Sequence, residues 1–198
     1  MFPATQRTCT RLAIAVGAAA FLFSGAASAH PGHAAEGFSS GLTHPFGGLD
    51  HLLAMVAVGL WAMQQGGRAI YAVPGAFVTA MAAGFGLGLA GITLPFAETG
   101  ILLSLLALGL AVALSLRPPL ALAMLASAGF ALCHGYAHAL ESGGAALAPY
   151  AAGMLLGTAL LHGLGLFAAR LANQGNLALL TRGAGAATAA IGLFLLVL

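Results

Sequence analysis

Charge is almost absent from this sequence. Only 5% of its 198 residues are Asp, Glu, Lys or Arg, while 61% are hydrophobic. A water-soluble domain carries about 25% charged residues to cover its surface, so a shortfall of this size excludes a soluble globule. Cysteine is scarce too. The chain has two, Cys9 and Cys133, and the first falls in a segment that reads as a cleaved signal, so the mature chain has no thiol pair for a disulfide or a thiolate metal cage. No basic cluster offers itself to a nucleic acid, which excludes that partner class. Nucleophile elbows and glycine-rich phosphate loops are also missing. Glycine, in contrast, is plentiful at 29 residues, and small residues let apolar helices approach closely in lipid. The composition therefore predicts an all-α, polytopic membrane helix bundle with a single membrane domain.

Residues 1–29 read as a cleaved signal peptide. Arg7 and Arg11 form a basic start, Leu12 to Phe23 is a short apolar run, and Ala27-Ser28-Ala29 is a small-residue cleavage site. The mature chain then begins at His30. A periplasmic histidine-bearing segment, 30–44, precedes a membrane domain at 45–198. Four arginines balance four acids in this mature chain.

Punctuation divides the mature sequence into six apolar stretches, at roughly 45–63, 70–91, 98–116, 119–140, 150–171 and 183–198. Each is near the 17–25 residues that cross a hydrocarbon core of about 30 Å. The breaks between them are short, so consecutive helices are expected to be antiparallel neighbours. With residues 30–44 outside, Arg68, Arg117, Arg170 and Arg182 all fall on the cytoplasmic side, as basic residues should in a bacterial inner membrane. His30, His33, His44, Asp50, His51, Glu98, His138 and Glu141 all fall in the outer half or beyond it, with His134 a little deeper and His162 near the midplane. Gly84-x-x-x-Gly88 and Gly153-x-x-x-Gly157 are candidate packing faces.

Ionisable groups inside a membrane are costly and mark function. The first constellation runs from His44 to His51. Pro45 suits the first turn of a helix, which puts His44 at its mouth and Asp50 and His51 one to two turns inside. Seven residues apart on one helix, His44 and His51 can share a face. Asp50 is either a ligand or the group that fixes the tautomer of a ligating histidine. The second constellation is His134, His138 and Glu141, spaced i, i+4 and i+7 on one helical stripe. Two imidazoles and a carboxylate suit Ni²⁺, Co²⁺, Zn²⁺ or Cu²⁺ alike.

Three weaker features accompany them. His30, with its free α-amine, and His33 form either a capture site or a plain tail. Glu98 opens the third stretch as a ligand or as an interfacial carboxylate at a helix N-terminus. His162, in Leu160-Leu161-His162-Gly163, is either a deeper site or one partner of an interhelical hydrogen bond.

The run His44-Pro45 … Gly48-Leu49-Asp50-His51-Leu52-Leu53-Ala54-Met55, followed by Val58-Gly59-Leu60-Trp61, resembles the HupE/UreJ family of hydrogenase and urease accessory proteins. His134-Gly135-Tyr136-Ala137-His138 … Glu141 is similar to that family's second motif, with Ala139 where glycine is common. His30-Pro31-Gly32-His33, Glu98 and Leu161-His162 also match, so the resemblance covers essentially the whole mature chain. It implies a secondary permease for nickel or cobalt that works with nickel-enzyme maturation, with metal-site roles for His44, Asp50, His51, His134, His138 and Glu141. The metal is a transported substrate, and no organic cofactor is implied.

The residues themselves leave three classes open. A permease would capture metal at His30 and His44, bind it among Asp50, His51, His134, His138 and Glu141, and release it inward past His162, beyond which the path is apolar. An intramembrane zinc hydrolase would need three close ligands and an open water position. An accessory protein would bind metal without moving it.

Overall fold

The computed structural model describes residues 37–143 and 146–198, all within the compact unit His33–Leu198. The expected leader at 1–29, His30 and His33 lie outside the described residues. Among these residues the structure has seven α-helices and no strand: α1 (Phe38–Gly47), α2 (Leu49–Gln65), α3 (Ala69–Leu89), α4 (Ala97–Ala113), α5 (Leu120–Glu141), α6 (Leu147–Gln174) and α7 (Ala178–Val197).

All six apolar stretches recur as helices, α2 to α7, with ends moved by a few residues. The addition is α1. It corrects the expected start at Pro45, which instead lies inside α1, in its last turn. The tandem Gly47-Gly48 ends that helix, with Gly48 in an extended conformation (φ −99°, ψ 123°), and α2 departs at 86°. His44 and His51 therefore sit on two helices rather than two turns of one. Four helices, α3, α5, α6 and α7, are each long and apolar enough to cross a membrane. The broken α1–α2 pair counts as a fifth if taken as one span, and α4 is a shorter apolar helix of 17 residues. Large apolar side chains point outward along the bundle, Leu125, Phe167 and Phe194 among them. This is a membrane protein.

Packing follows the glycines. The most extensive contacts are α3 with α5, α4 with α7, and α6 with both α1 and α2, so the expectation that consecutive helices would be the neighbours is corrected. Close approach decides which helices pair. A Cβ on Gly84 would collide with the carbonyl of Leu132, and one on Gly153 with that of Phe38. Gly59 and Gly165 form a second crossing, between α2 and α6, where each backbone lies against the other. Both glycine pairs read from the sequence thus lie at crossings, joined by several that carry no short motif.

The helix ends sort by charge. Trp61 Nε1–H donates to the Leu116 carbonyl at 2.9 Å, Gln64 Nε2–H to Val112 at 3.2 Å, and Arg182 Nε–H to Ala113 at 2.8 Å. These bonds gather the end of α2, the end of α4 and the start of α7, and with them Arg68, Arg117 and Arg182. Gly66 and Gly67, both left-handed (φ 75° and 53°), make the tight turn from α2 into α3 at this end. Among the described residues, the carboxylates Asp50, Glu98 and Glu141 and most of the histidines lie at the other.

Candidate metal centre

The broken helix sets up the site. Asp50 occupies the first turn of α2, where a negative charge is favoured by the helix dipole. Its Oδ1 accepts two hydrogen bonds from His51, from the backbone N–H at 2.8 Å and from Nδ1–H at 2.9 Å. Asp50 thus holds the ring of His51 through one carboxylate oxygen and leaves Nε2 of His51 bare. His51 is buried, 6% exposed, and meets two rings of α5: His138 with centroids 4.5 Å apart and His134 at 4.7 Å.

His134 and His138 are i, i+4 on α5, and both are fully buried. α1 brings the fourth imidazole down onto them. His44 lies 4.8 Å from His138, ring to ring, and 5.7 Å from Tyr150 of α6. Its Nε2 is 2.8 Å from Glu141 Oε2, and the same carboxylate oxygen stands 3.8 Å from His138 Nδ1. His44, His138 and Glu141 offer donor atoms that all lie within 4.8 Å of one another. Donors sharing one ion can be at most about 4.2 Å apart, twice a bond of about 2.1 Å. A small movement closes that gap, and Glu141, half exposed, is free to make it.

Beyond the four imidazoles the rings continue. Phe77 of α3 lies 5.7 Å from His134 on one side and 5.0 Å from His162 on the other. His162 Nδ1–H donates to the Met55 carbonyl at 2.8 Å, the interhelical bond expected as one alternative, and leaves its Nε2 bare. Five buried ring nitrogens in this succession have no hydrogen-bond partner: His51 Nε2, His134 Nδ1, both nitrogens of His138, and His162 Nε2. An unsatisfied buried polar atom costs about 1–3 kcal/mol. Several in one cluster call for partners, and neutral imidazole nitrogens are among the commonest metal donors.

Access is acidic on one side and apolar on the other. A cavity of about 800 Å³, lined by Asp50, His51, Glu98, Tyr136 and Glu141, opens beside the cluster with no arginine or lysine in its wall. Glu98 stands in the first turn of α4, its side chain exposed to this cavity. Phe96, left-handed at φ 61°, starts that helix and lines the same wall. Three carboxylates around one opening concentrate cations there. At the far end of the ring succession, His162 borders a groove of about 380 Å³ between α3 and α6 with Tyr71, Pro74 and Leu166.

The structure therefore brings together His44, Asp50, His51, His134, His138 and Glu141, places Glu98 on the wall of the same cavity as Asp50, His51 and Glu141, and sets His162 apart behind Phe77. Residues 18–195 match the family described as HupE / UreJ protein. The chain belongs to the HupE/UreJ family. Protein HupE of Rhizobium leguminosarum bv. viciae is 46% identical over 174 residues, which cover 86% of this chain and 90% of that protein. No solved structure matches.

Three contacts in this HupE/UreJ site were not legible in the sequence. Ser104 of α4, fully buried, lies 3.0 Å from His134 Nε2. Tyr150 packs on His44, and Phe77 bridges His134 and His162. A single serine, tyrosine or phenylalanine in an apolar helix belongs to no motif, and only the fold reveals its neighbour. Cys133 is only half buried, with its sulfur facing Gly100.

Proposed function

We propose that this protein is a permease that carries a divalent transition metal, nickel or cobalt, from the periplasm to the cytoplasm for metalloenzyme maturation. The observation that carries the reading is the succession of rings His44, His138, His51, His134, Phe77 and His162. It leads from a half-exposed histidine beside an acidic cavity to a buried one beside a groove nearer the arginine-bearing end. Nickel over other divalent ions follows from the family resemblance, since imidazole and carboxylate donors accept several metals.

In this reading the protein lies in the bacterial inner membrane with six spans, the α1–α2 pair and α4 included, after a cleaved leader. The mature N-terminus is periplasmic, and His30 and His33 add capture to the mouth. Glu98, Glu141 and His44 receive the ion, and His51, His134 and His138 strip its water. His162 is the inner station. Ligands bind metal only when deprotonated, so a proton gradient can drive or gate the step. Mixed nitrogen and oxygen donors also release metal more readily than a thiolate cage.

Uptake of radiolabelled nickel into cells expressing the chain, with cobalt, copper and zinc in competition, tests this. Saturable uptake suppressed best by cold nickel or cobalt is the expected result. Membrane-inserted protein with no uptake above the empty vector would overturn it. Release of fatty acid from lipid amides or esters by the zinc-loaded protein would point to a hydrolase instead.

A further inference from the structure

His51, His134 and His162 each have one ring nitrogen held and one bare, but the held atom differs. His51 and His162 are held at Nδ1, by the Asp50 carboxylate and the Met55 carbonyl, and His134 is held at Nε2, by the Ser104 hydroxyl. A carboxylate or a carbonyl can only accept, so it dictates an N–H on the nitrogen facing it. A hydroxyl can donate or accept, and what it does depends on its other neighbour.

For Ser104 that neighbour is the carbonyl oxygen of Ile101, one turn back on α4, at 2.6 Å. Two oxygens this close need a proton between them, for without it their lone pairs would repel. A separation of 2.6 Å is also within the range of a firm O–H···O bond. The single hydroxyl proton of Ser104 therefore lies on the Ile101 side, and its oxygen is left as an acceptor. His134 Nε2, 3.0 Å away, must be the donor. Its other nitrogen, Nδ1, is then an unprotonated lone pair, buried and without a partner.

We infer that Ser104 is a positioning residue, which holds His134 in the tautomer protonated on Nε2 so that Nδ1 is its ligand atom. The pair is fully buried, so water does not compete for either bond. Without the hydroxyl, Nε2–H has no acceptor, only the intrinsic preference of imidazole between its tautomers remains, and a proton occupies Nδ1 for a larger share of the time. That proton must leave before metal can bind. Partners that orient a ligating histidine typically change metal affinity by about 10–100-fold when removed. The inference rests on the proposed metal-handling role of the cluster only for its consequence, not for the tautomer itself.

The test uses the full chain, purified metal-free, with ¹⁵N-labelled histidine, and His134→Gln to assign the His134 signals. Ser104→Ala and Ser104→Val remove the hydroxyl, the second without loss of bulk, and Ser104→Thr keeps it. Expected is a pyrrole-type Nε2 and a pyridine-type Nδ1 for His134 in the parent and in Ser104→Thr. In Ser104→Ala and Ser104→Val the signals should move toward a mixture, and Ni²⁺ affinity by competition titration should fall about tenfold or more. A parent His134 protonated on Nδ1, or one tautomer unchanged across all four proteins, would overturn the inference. If the tautomer moves as expected while the parent binds no nickel, the assignment of Ser104 stands and the transport reading falls.

Discussion

The imidazoles of His51 and His138 pack with centroids 4.5 Å apart, although one comes from the second helix and the other from the fifth. Nε2 of His51 and both nitrogens of His138 are buried without hydrogen-bond partners. Two halves of one polar cluster have thus been brought to face each other, and neither would be tolerable alone in lipid.

That relationship predicts non-additive mutants. His51→Ala and His138→Ala should each abolish nickel uptake, and the double variant should be no worse than either single, as for residues that act as a unit. Initial uptake rates at equal membrane expression decide it. Two partial losses that multiply would mean two independent sites.

The His44–Glu141 pair should matter for metal and little for folding. Both groups are partly exposed, 30% and 49% by side chain, and such pairs contribute about 0–1 kcal/mol. Glu141→Gln should shift the thermal midpoint by less than about 4 °C. It removes a charged donor, and charge-assisted contacts are worth about 1.5–3 kcal/mol, so nickel affinity should fall about tenfold or more. A large loss of stability with affinity intact would reverse the assignment.

The fold is legible in the sequence where the signal is periodic and illegible where one backbone angle decides. Long apolar runs separated by Gly, Pro and Arg had no other stable arrangement, so α2 to α7 were legible. The break before α2 was not. Pro45 was read as a helix opener because proline suits a first turn, but Gly48 in its extended conformation separates it from α2. The face shared by His44 and His51 was wrong in mechanism, since the 86° bend and the docking of α1 on α6 bring His44 to His138 instead. Ser104 was invisible because its role depends on a contact with α5 that no local pattern encodes.

Glycines on one helix should differ sharply in what they tolerate. A Cβ at Gly165 would collide with the backbone of Val56 and Leu60, whereas at Gly163 nothing lies within 4 Å. Gly165→Ala should therefore destabilise the protein by about 1–3 kcal/mol or prevent insertion. Gly163→Ala should be neutral or stabilising by about 0.5–1 kcal/mol. Thermal unfolding in detergent compares the two, and equal midpoints would show that α2 and α6 do not cross at Gly59 and Gly165.

The gathering of Arg68, Arg117 and Arg182 at one end predicts orientation. Reporter fusions after Arg68, Arg117 and Asn176 should read as cytoplasmic, and those after Pro95 and Gly143 as periplasmic. One fusion on the wrong side would invert or break the proposed direction of uptake.

His162 should separate binding from transport. It is 2% exposed, it lies behind Phe77 from the other imidazoles, its Nε2 is bare, and it is not a member of the donor group His44, His138 and Glu141. Its Nδ1–H bond goes to the Met55 carbonyl, which lies inside α2 and has a helical partner as well, so losing that bond leaves no orphan acceptor. His162→Ala should therefore fold, and it should bind nickel at the outer cluster with affinity within about twofold of the parent, a difference below about 0.5 kcal/mol. Uptake should nonetheless fall at least about tenfold, because an ion leaving the outer cluster then meets only Phe77 and an apolar groove, and an undercoordinated divalent ion in such surroundings is strongly disfavoured. Binding to purified protein and uptake into proteoliposomes, measured on the same preparation, give the two numbers. Unchanged uptake would reduce His162 to an interhelical hydrogen bond and require another route to the arginine-bearing end.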